Sequence, residues 1–491
     1  MLLLFSLLLI ASIPKVQTYF GFLATKKINN KFGTNIKVEK VGLQFNGDIE
    51  LKNILIKDYK NDSLISIKEL NSSVLSFVNI FNNKFIFGEI DIYGLFFHIR
   101  TYKGEMYTNL DIFVNKFKKN RIKLSNLFKL SSTELTLSDS YLKLSNENKL
   151  TTSVLDLSSL NIRAKDFLIS GPNVSSNIKN LSFIDGRGVE FKNLKTQFKY
   201  TLSDIIFEGL SIDTEKSNLD LDLKFSYNPG DFKEFNEKVK LNANFRNSSI
   251  NLSELNVFYP EFGATNDISF RADLEGTLNE LNVNNLNLLS NGGTKINGNF
   301  LFKNLISSKS NPFQITCDLN QLSSTYLDLK GILPRILGEK LPSSLEFLGV
   351  FMADGDLNIN DNKIDIDFNV KTELGDIQSN LTLNNINVID LASYNGKLKL
   401  LDFDLGTLIE DTNVGSVSTS LNINGKGLTI DSISSNIDGI FERFEFNNYD
   451  YRNVEVLGFI QNRVFSGQLK TNDLNLKLYF KGLVDFSKNE N

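Results

Sequence analysis

Apolar and polar residues alternate with a period of two along much of the chain, most clearly from Gly355 to Leu383. On both sides of a polar turn at 360–363, the apolar residues occupy alternate positions: Leu357, Ile359, Ile364, Ile366, Phe368 and Val370. Successive side chains of a strand point to opposite faces, so this alternation separates an apolar face from a charged one. The stretch therefore predicts an antiparallel hairpin, followed by a third strand at 377–383.

The same alternation recurs from Lys37 almost to the C-terminus. One strand is predicted at 219–227, with alternate apolar residues at Leu219, Leu221, Leu223 and Phe225, and another at 268–274, with Ile268 and Phe270 on its apolar side. Asn-Gly pairs at 46–47, 291–292, 297–298, 395–396 and 424–425, and Asp-Gly pairs at 185–186, 354–355 and 438–439, predict tight turns. Short helices are predicted near 72–81, 253–259, 324–337 and 388–394, and either a short helix or a loop is predicted near 109–119.

The length of this one-sided pattern limits the fold. Stacked sandwich domains would need domain-sized blocks, and no Pro-rich or Gly/Ser-rich linker divides the 491 residues. We therefore predict an all-β fold with an N-terminal helix: an elongated, twisted antiparallel sheet curled into an apolar groove, with short helical connections. The predicted parts are a membrane anchor and helix at 1–33 and an elongated β-groove domain at 34–491.

The first thirteen residues are almost wholly apolar. A bilayer span needs about 20 residues, and apolar character resumes after Pro14 and Lys15. The helix is predicted to continue to Phe32 and to end at Gly33 as a C-terminal cap. We favour an uncleaved single-pass anchor over the alternative, a cleaved secretory signal. The predicted anchor residues are Leu2, Leu3, Leu4, Phe5, Leu7, Leu8, Leu9, Ile10 and Ile13.

Charge and candidate chemistry point away from several classes of function. The 53 basic and 57 acidic residues give a net charge of -4 and are spread along the strands, which disfavours nucleic acid as a partner. The only cysteine, Cys317, is predicted to be buried on the apolar side of a strand, and the only histidine, His98, lies between Phe97 and Ile99. One histidine and one cysteine cannot form a His/Cys zinc site or a Cys-His pair. We predict no catalytic residue, no metal and no cofactor, and therefore no enzyme.

A groove that its own side chains do not fill is suited to acyl chains, because each buried methylene contributes about 0.8 kcal/mol. Transport along such a groove requires a continuous apolar lining and no catalytic group. The predicted lining residues are Leu219, Leu221, Leu223, Phe225, Ile268, Phe270, Leu357, Ile359, Ile364, Ile366, Phe368 and Val370.

Several short motifs resemble the start of TamB proteins of the AsmA-like superfamily. They comprise the apolar N-terminus, the helix ending near 30–33, and the stretches 36–41, 47–54, 90–97 and 109–110. Later stretches at 394–396, 403–406, 425–427 and 449–453 are similar to TamB-like chains of Bacteroidota type. The chain is much shorter than those proteins, and the C-terminal region that meets their outer-membrane partner has no counterpart in these motifs.

The resemblance implies an inner-membrane anchor, a periplasmic β-groove and a role in envelope biogenesis. It also implies phospholipids as cargo and an Omp85-type (TamA-like) outer-membrane protein as partner. Two functions follow as expectations: conduction of phospholipids between the inner and outer membranes, or a scaffold for the translocation and assembly of outer-membrane proteins. The second would act by adding unfolded strands to an exposed sheet edge.

Overall fold

The computed structural model describes residues 13–485 except 45–46, 75–83, 119–128, 150–152, 261, 306–311, 333, 335–342, 361, 387, 430–431 and 475. Strands make up 67% of the described residues, so the predicted all-β class is confirmed. The chain divides into two compact units, Met1–Pro229 and Gly230–Asn491.

In the residues that the structure describes, the first unit contains two helices and ten strands. The helices are α1 Pro14–Phe32 and α2 Asn109–Lys118. The strands are β1 Asn35–Leu43, β2 Asp48–Lys57, β3 Ser63–Val74, β4 Lys84–Thr101, β5 Lys129–Asn146, β6 Ser153–Ser170, β7 Asn173–Asp185, β8 Glu190–Tyr200, β9 Asp204–Thr214 and β10 Asn218–Ser226. Each strand pairs with the next one along the chain.

One pair in the first unit contradicts the antiparallel prediction. Strands β4 and β5 are parallel, from Lys84 opposite Lys129 to Thr101 opposite Asn146. Parallel neighbours need a connection that returns the chain to the same end of the sheet, and a helix usually makes it. Helix α2, one of the two alternatives predicted near 109–119, lies in this connection. All the other pairs of the unit are antiparallel.

The described part of the second unit contains short helices and fourteen strands. The α-helices are α3 Phe235–Lys238, α4 Leu252–Phe258, α5 Tyr326–Ile332 and α6 Leu405–Ile409. The strands are β11 Lys240–Asn251, β12 Asp267–Thr277, β13 Glu280–Ser290, β14 Lys295–Lys303, β15 Gln314–Thr325, β16 Val350–Asn360, β17 Lys363–Thr372, β18 Gly375–Asn384, β19 Ser393–Asp404, β20 Val414–Lys426, β21 Ser434–Phe446, β22 Tyr449–Gln461, β23 Val464–Asn472 and β24 Lys477–Asp485. They pair in chain order, and every pair is antiparallel.

The hairpin predicted from the opening pattern is confirmed. Strands β16 and β17 place Leu357 opposite Ile366 and Ile359 opposite Ile364, and β18 follows as the third strand. Helix α4 begins and ends one residue before the range predicted at 253–259, α5 falls within the predicted 324–337, and a 3₁₀ turn covers Ile389–Leu391. The helix predicted at 72–81 is wrong for 72–74, which belong to β3, and its remaining residues lie outside the described part of the chain.

Five of the eight predicted Gly turns are wrong. The pair at 291–292 lies in a connection between strands, as do Gly186, which directly follows the last residue of β7, and Gly47, whose neighbour Asn46 is outside the described residues. The other five glycines lie inside strands of the second unit: Gly298, Gly355, Gly396, Gly425 and Gly439.

Helix α1 lies antiparallel to β1 along the edge that faces away from β2. The Gln17 side chain exchanges two hydrogen bonds with the backbone of Leu43, at 2.8 and 2.9 Å. The Asn29 side chain exchanges two with the backbone of Ile36, also at 2.8 and 2.9 Å. A carboxamide offers the same donor and acceptor as a peptide group, so the helix takes the place of a further strand. We call Gln17 and Asn29 the amide clamp.

Gly33 ends α1, as the sequence predicts. Its φ is 64° and its ψ is 33°, and its N–H bonds to the carbonyl oxygen of Asn29. Glycine reaches this left-handed conformation without the steric cost that a Cβ adds. The chain therefore reverses at Gly33 and enters β1.

Candidate functional site

In the second unit, the strand register joins apolar residues into four rows that cross the sheet on one face, here called the apolar face. The first row is Leu281, Phe302, Ile315, Ile359, Ile364, Leu383 and Tyr394. The second is Val283, Phe300, Cys317, Leu357, Ile366, Leu381, Gly396, Ile423 and Ile437. The third is Leu319, Gly355, Phe368, Ser379, Leu398, Leu421, Gly439, Val456, Leu469 and Phe480. The fourth is Phe270, Leu288, Ile296, Leu322, Ala353, Val370, Ile377, Leu400, Thr419, Phe441 and Val454.

The opposite face carries polar rows in the same register. One of them is Asn299, Asp318, Asp356, Asp367, Asn380, Lys397, Asn422 and Asp438. Neighbouring strands are linked by side-chain hydrogen bonds, such as the one that Asn380 donates to Asp367 at 2.9 Å. Water therefore suits this face, whereas the apolar face requires a different environment.

The apolar face is only partly covered by protein. Ten of the twelve predicted lining residues are half-buried, and these include all six residues of the β16–β17 hairpin: Leu357, Ile359, Ile364, Ile366, Phe368 and Val370. In a filled core, large aliphatic side chains of this kind are usually fully buried. The half-buried residues leave apolar surface available to a ligand.

Two predicted lining residues are buried by protein instead. Leu221 is 4% exposed, and it lies opposite Leu210, which is also buried. Ile268 is 7% exposed and packs with Leu252 of α4 and Ile332 of α5. The short helices thus cover this part of the sheet, and Ile268 belongs to a local core rather than to an open lining.

The remaining predicted lining residues of the first unit lie in its own cross-strand rows. Phe225 belongs to a row that spans six further strands: Phe85, Leu130, Ile169, Val174, Tyr200 and Ile205. Leu223 lies opposite Phe207, and Leu219 lies opposite Ile212. The first unit therefore repeats the apolar rows that the second unit shows.

Glycines on the apolar face are the lining residues that the sequence misassigned. A Cβ at Gly355 would lie 2.9 Å from Cδ1 of Phe368, and its φ of 132° favours glycine. A Cβ at Gly458 of β22 would lie 2.5 Å from Cε2 of Phe465 on β23. Phenylalanine rings thus lie over glycines on the neighbouring strand and cover their exposed backbone. In the five Asn-Gly and Asp-Gly pairs that lie inside strands, the register places the Asn or Asp on the polar face and the Gly on the apolar face. The dipeptide alone does not distinguish this arrangement from a turn.

The predicted anchor lies mostly outside the described residues. Leu2, Leu3, Leu4, Phe5, Leu7, Leu8, Leu9 and Ile10 belong to this part, and Ile13, the first described residue, is exposed. Among the described residues, no helix combines the length and the apolar character needed to cross a bilayer.

The only cysteine and the only histidine are both buried, one in each unit. Cys317 is 1% exposed in the second apolar row, as predicted, and burial raises the pKa of its thiol to about 12. His98 Nε2 lies 2.9 Å from Ser145 Oγ, and its Nδ1 lies 3.2 Å from an Arg100 nitrogen. Burial, followed by the charge of Arg100, lowers the pKa of His98. Within the described part of the chain, no group of three His, Cys, Asp or Glu side chains is arranged to hold a metal ion.

Sequence reasoning also missed a buried polar network at one end of β4. The Asp58 carboxylate accepts hydrogen bonds from Tyr102 at 2.6 Å and from Asn109 at 3.2 Å. Asn109 also donates to the carbonyl of His98 and accepts from the N–H of Arg100. These contacts attach the start of α2 to β4, so the network has a structural explanation.

Comparisons with protein-family models, curated proteins and solved structures return no match to this chain.

Proposed function

We propose that this protein binds the acyl chains of phospholipids along its apolar face and conducts phospholipids between the inner and outer membranes. The observation that carries the proposal is the set of four apolar rows, most of whose side chains are only half-buried. At about 4.8 Å per strand, the fourth row, which crosses eleven strands, extends roughly 50 Å. An acyl chain can therefore remain in contact with apolar side chains as it moves from strand to strand.

The energy of such binding is sufficient without any other contact. Transfer of about 15 methylenes from water to an apolar surface contributes on the order of 10 kcal/mol. The headgroup would remain in water, because the apolar rows contain no charged side chain to bind it. In this proposal the membrane anchor lies in residues 1–13, and the sheet lies in the periplasm as a TamB-like groove.

The test introduces one charge on either face of the same strand. Ile377 lies in the fourth apolar row, opposite Val370 and Leu400, whereas Gln378 is exposed on the polar face, opposite Asn369 and Lys399. An ionised carboxylate against hydrocarbon costs several kcal/mol. We therefore expect Ile377→Asp to reduce phospholipid transfer between donor and acceptor vesicles by about tenfold or more, and Gln378→Asp to change it less than about twofold.

Two measurements complete this test. Mass spectrometry of the purified protein should find less phospholipid bound to the Ile377→Asp variant than to the Gln378→Asp variant. Circular dichroism of both variants separates loss of binding from loss of folding. Equal transfer rates for two folded variants would refute acyl-chain binding on the apolar face.

A second candidate function is a scaffold for outer-membrane strands, and the structure of β24 favours it. Among the described residues β24 pairs with β23 on one side only, and its side chains Leu478, Tyr479 and Leu483 are exposed. Such an edge can accept an added strand through backbone hydrogen bonds. The partner in this case would be an unfolded outer-membrane protein delivered with an Omp85-type protein.

A further inference from the structure

A cavity of about 900 Å³ lies between α1 and the first three strands. Three lysines line it, Lys26 from α1, Lys37 from β1 and Lys68 from β3, together with apolar side chains that include Phe22 and Leu55. Its volume falls within the range of small-molecule sites. Neither the apolar rows nor the strand edge explains a cavity with this composition.

The lysines of this cavity are largely free of neutralising partners. Lys26 and Lys37 form no ion pair with any residue that the structure describes. Lys68 lies 3.5 Å from Asp139, and both side chains are well exposed, so this pair contributes little. The one carboxylate among the lining residues, Glu39, accepts a hydrogen bond from Asn53 at 2.6 Å. The cavity therefore has a net positive charge.

The helix that forms one wall has the composition of a membrane-surface helix. It carries four lysines and no acidic residue, and Phe20, Phe22 and Leu23 are exposed on it. Phe22 lines the cavity and is 53% exposed, so its ring extends from the cavity to the surface. Lysines together with exposed aromatic side chains favour the interface of a bilayer that contains anionic lipids.

The amide clamp fixes this wall. Asn29 lines the cavity and also holds α1 to the backbone of Ile36, while Gln17 holds the other end of the helix to Leu43. The position of Lys26 relative to Lys37 therefore depends on hydrogen bonds rather than on a flexible connection. A preorganised pair of ammonium groups loses less entropy when it binds a phosphate.

We propose that this cavity binds the phosphate-bearing headgroup of an anionic phospholipid. Lys26, Lys37 and Lys68 contact the phosphate oxygens, and Phe22 packs against the glycerol end of the acyl chains. The inference concerns one site at α1 and does not require conduction along the apolar face.

The first experiment uses the full chain and monomeric dihexanoyl phosphatidylglycerol as the probe, with affinity measured by calorimetry. A soluble probe removes the general attraction of a lysine-rich protein to a charged surface. At about 1 kcal/mol per lysine we expect Lys26→Ala and Lys37→Ala each to weaken binding about fivefold. Lys27→Ala, which removes an equal charge from α1 outside the cavity, should change the affinity less than about twofold. Equal losses for Lys26→Ala and Lys27→Ala would overturn the proposal.

A second variant tests the cavity without changing any charge. Ser66 lines the cavity from β3, and Ser66→Phe would fill part of it, whereas Ser66→Ala would leave it open. We expect Ser66→Phe to abolish binding of the probe and Ser66→Ala to retain it, with both variants folded by circular dichroism. Unchanged binding by a folded Ser66→Phe variant would overturn the site.

Two further probes identify the source of the phosphate. Inorganic phosphate should bind at least tenfold more weakly than dihexanoyl phosphatidylglycerol, because it lacks the groups that Phe22 contacts, and equal affinity would identify a free-phosphate site instead. Dihexanoyl phosphatidylcholine should also bind more weakly, and equal affinity would overturn the role of the lysines. The Ile377→Asp variant should bind the probe normally, so failure of the conduction proposal and failure of this one are distinguishable.

Discussion

His98 shows how one residue can report on folding in this chain. Its ring is 9% exposed between Ser145 and Arg100. An Arg nitrogen can only donate, so Nδ1 accepts and the ring proton lies on Nε2, directed at Ser145 Oγ. The neutral ring is therefore the form that its neighbours stabilise.

The pH dependence of stability follows from this arrangement. Burial and Arg100 lower the pKa of His98, while Lys143 acts in the same direction and Asp156 and Asp62 oppose it. Below the pKa of the unfolded state, about 6.5, the unfolded chain binds a proton that the folded chain does not, so stability is lost as pH falls. The chain has one histidine. We therefore expect the melting temperature to fall from about pH 7 to about pH 5.5 because His98 becomes protonated in the unfolded chain. His98→Gln should flatten that slope, and an unchanged slope would contradict the assignment.

Single residues also explain where sequence patterns fail. In β6, Ser159 and Asp166 adopt left-handed conformations, with φ of 50° and 54°, and the register with neighbouring strands shifts near each of them. At each of these two residues the apolar positions switch between odd and even numbers. They are 155 and 157 before Ser159, then 160, 162 and 164, and then 167 and 169 after Asp166. A strict period of two misses such a strand, whereas β17, which has no bulge, was predicted from its alternation alone.

At the scale of elements, α1 protects an edge of the sheet. An uncovered edge strand exposes backbone N–H and C=O groups that can pair with another chain. The amide clamp satisfies these groups at Ile36 and Leu43 with side chains of a helix. The sequence predicts the helix and its end at Gly33, but not its position, because Gln17 and Asn29 look like ordinary polar residues of an exposed helix.

Removal of the amide clamp should release this edge. Each side chain makes two hydrogen bonds to β1, and their loss costs about 1–3 kcal/mol per residue. We expect Gln17→Ala with Asn29→Ala to accelerate amide hydrogen exchange at Ile36 and Leu43 and to promote concentration-dependent self-association. Asn30→Ala, which removes an amide one position along the helix, is the matched control. Exchange rates equal to those of the control would show that the clamp does not hold the helix.

At the scale of the whole molecule, the two functions proposed above depend on different surfaces. Conduction of lipid uses the apolar face, whereas strand addition uses the edge at β24. Alternation establishes from sequence that an apolar face exists. It does not say which residues the short helices cover, as Ile268 shows, because that depends on contacts between residues distant in the chain.

Prolines at the edge separate the two functions. Adjacent residues of a strand direct their N–H groups to opposite sides, so Lys481→Pro and Gly482→Pro differ. One of them removes a donor to β23 and destabilises the β23–β24 pair. The other removes an N–H group that points away from β23 and leaves the β23–β24 pair intact. The variant with the lower melting temperature is the one that has lost its hydrogen bond to β23.

The outward proline and Ile377→Asp then form a crossed test. If the protein conducts lipid, Ile377→Asp should reduce transfer between vesicles by about tenfold or more, and the outward proline should leave the rate unchanged. If it adds strands, the outward proline should reduce capture of an unfolded outer-membrane protein, and Ile377→Asp should not. A protein in which neither change affects either assay uses neither surface, because the face and the edge are altered independently by these two substitutions.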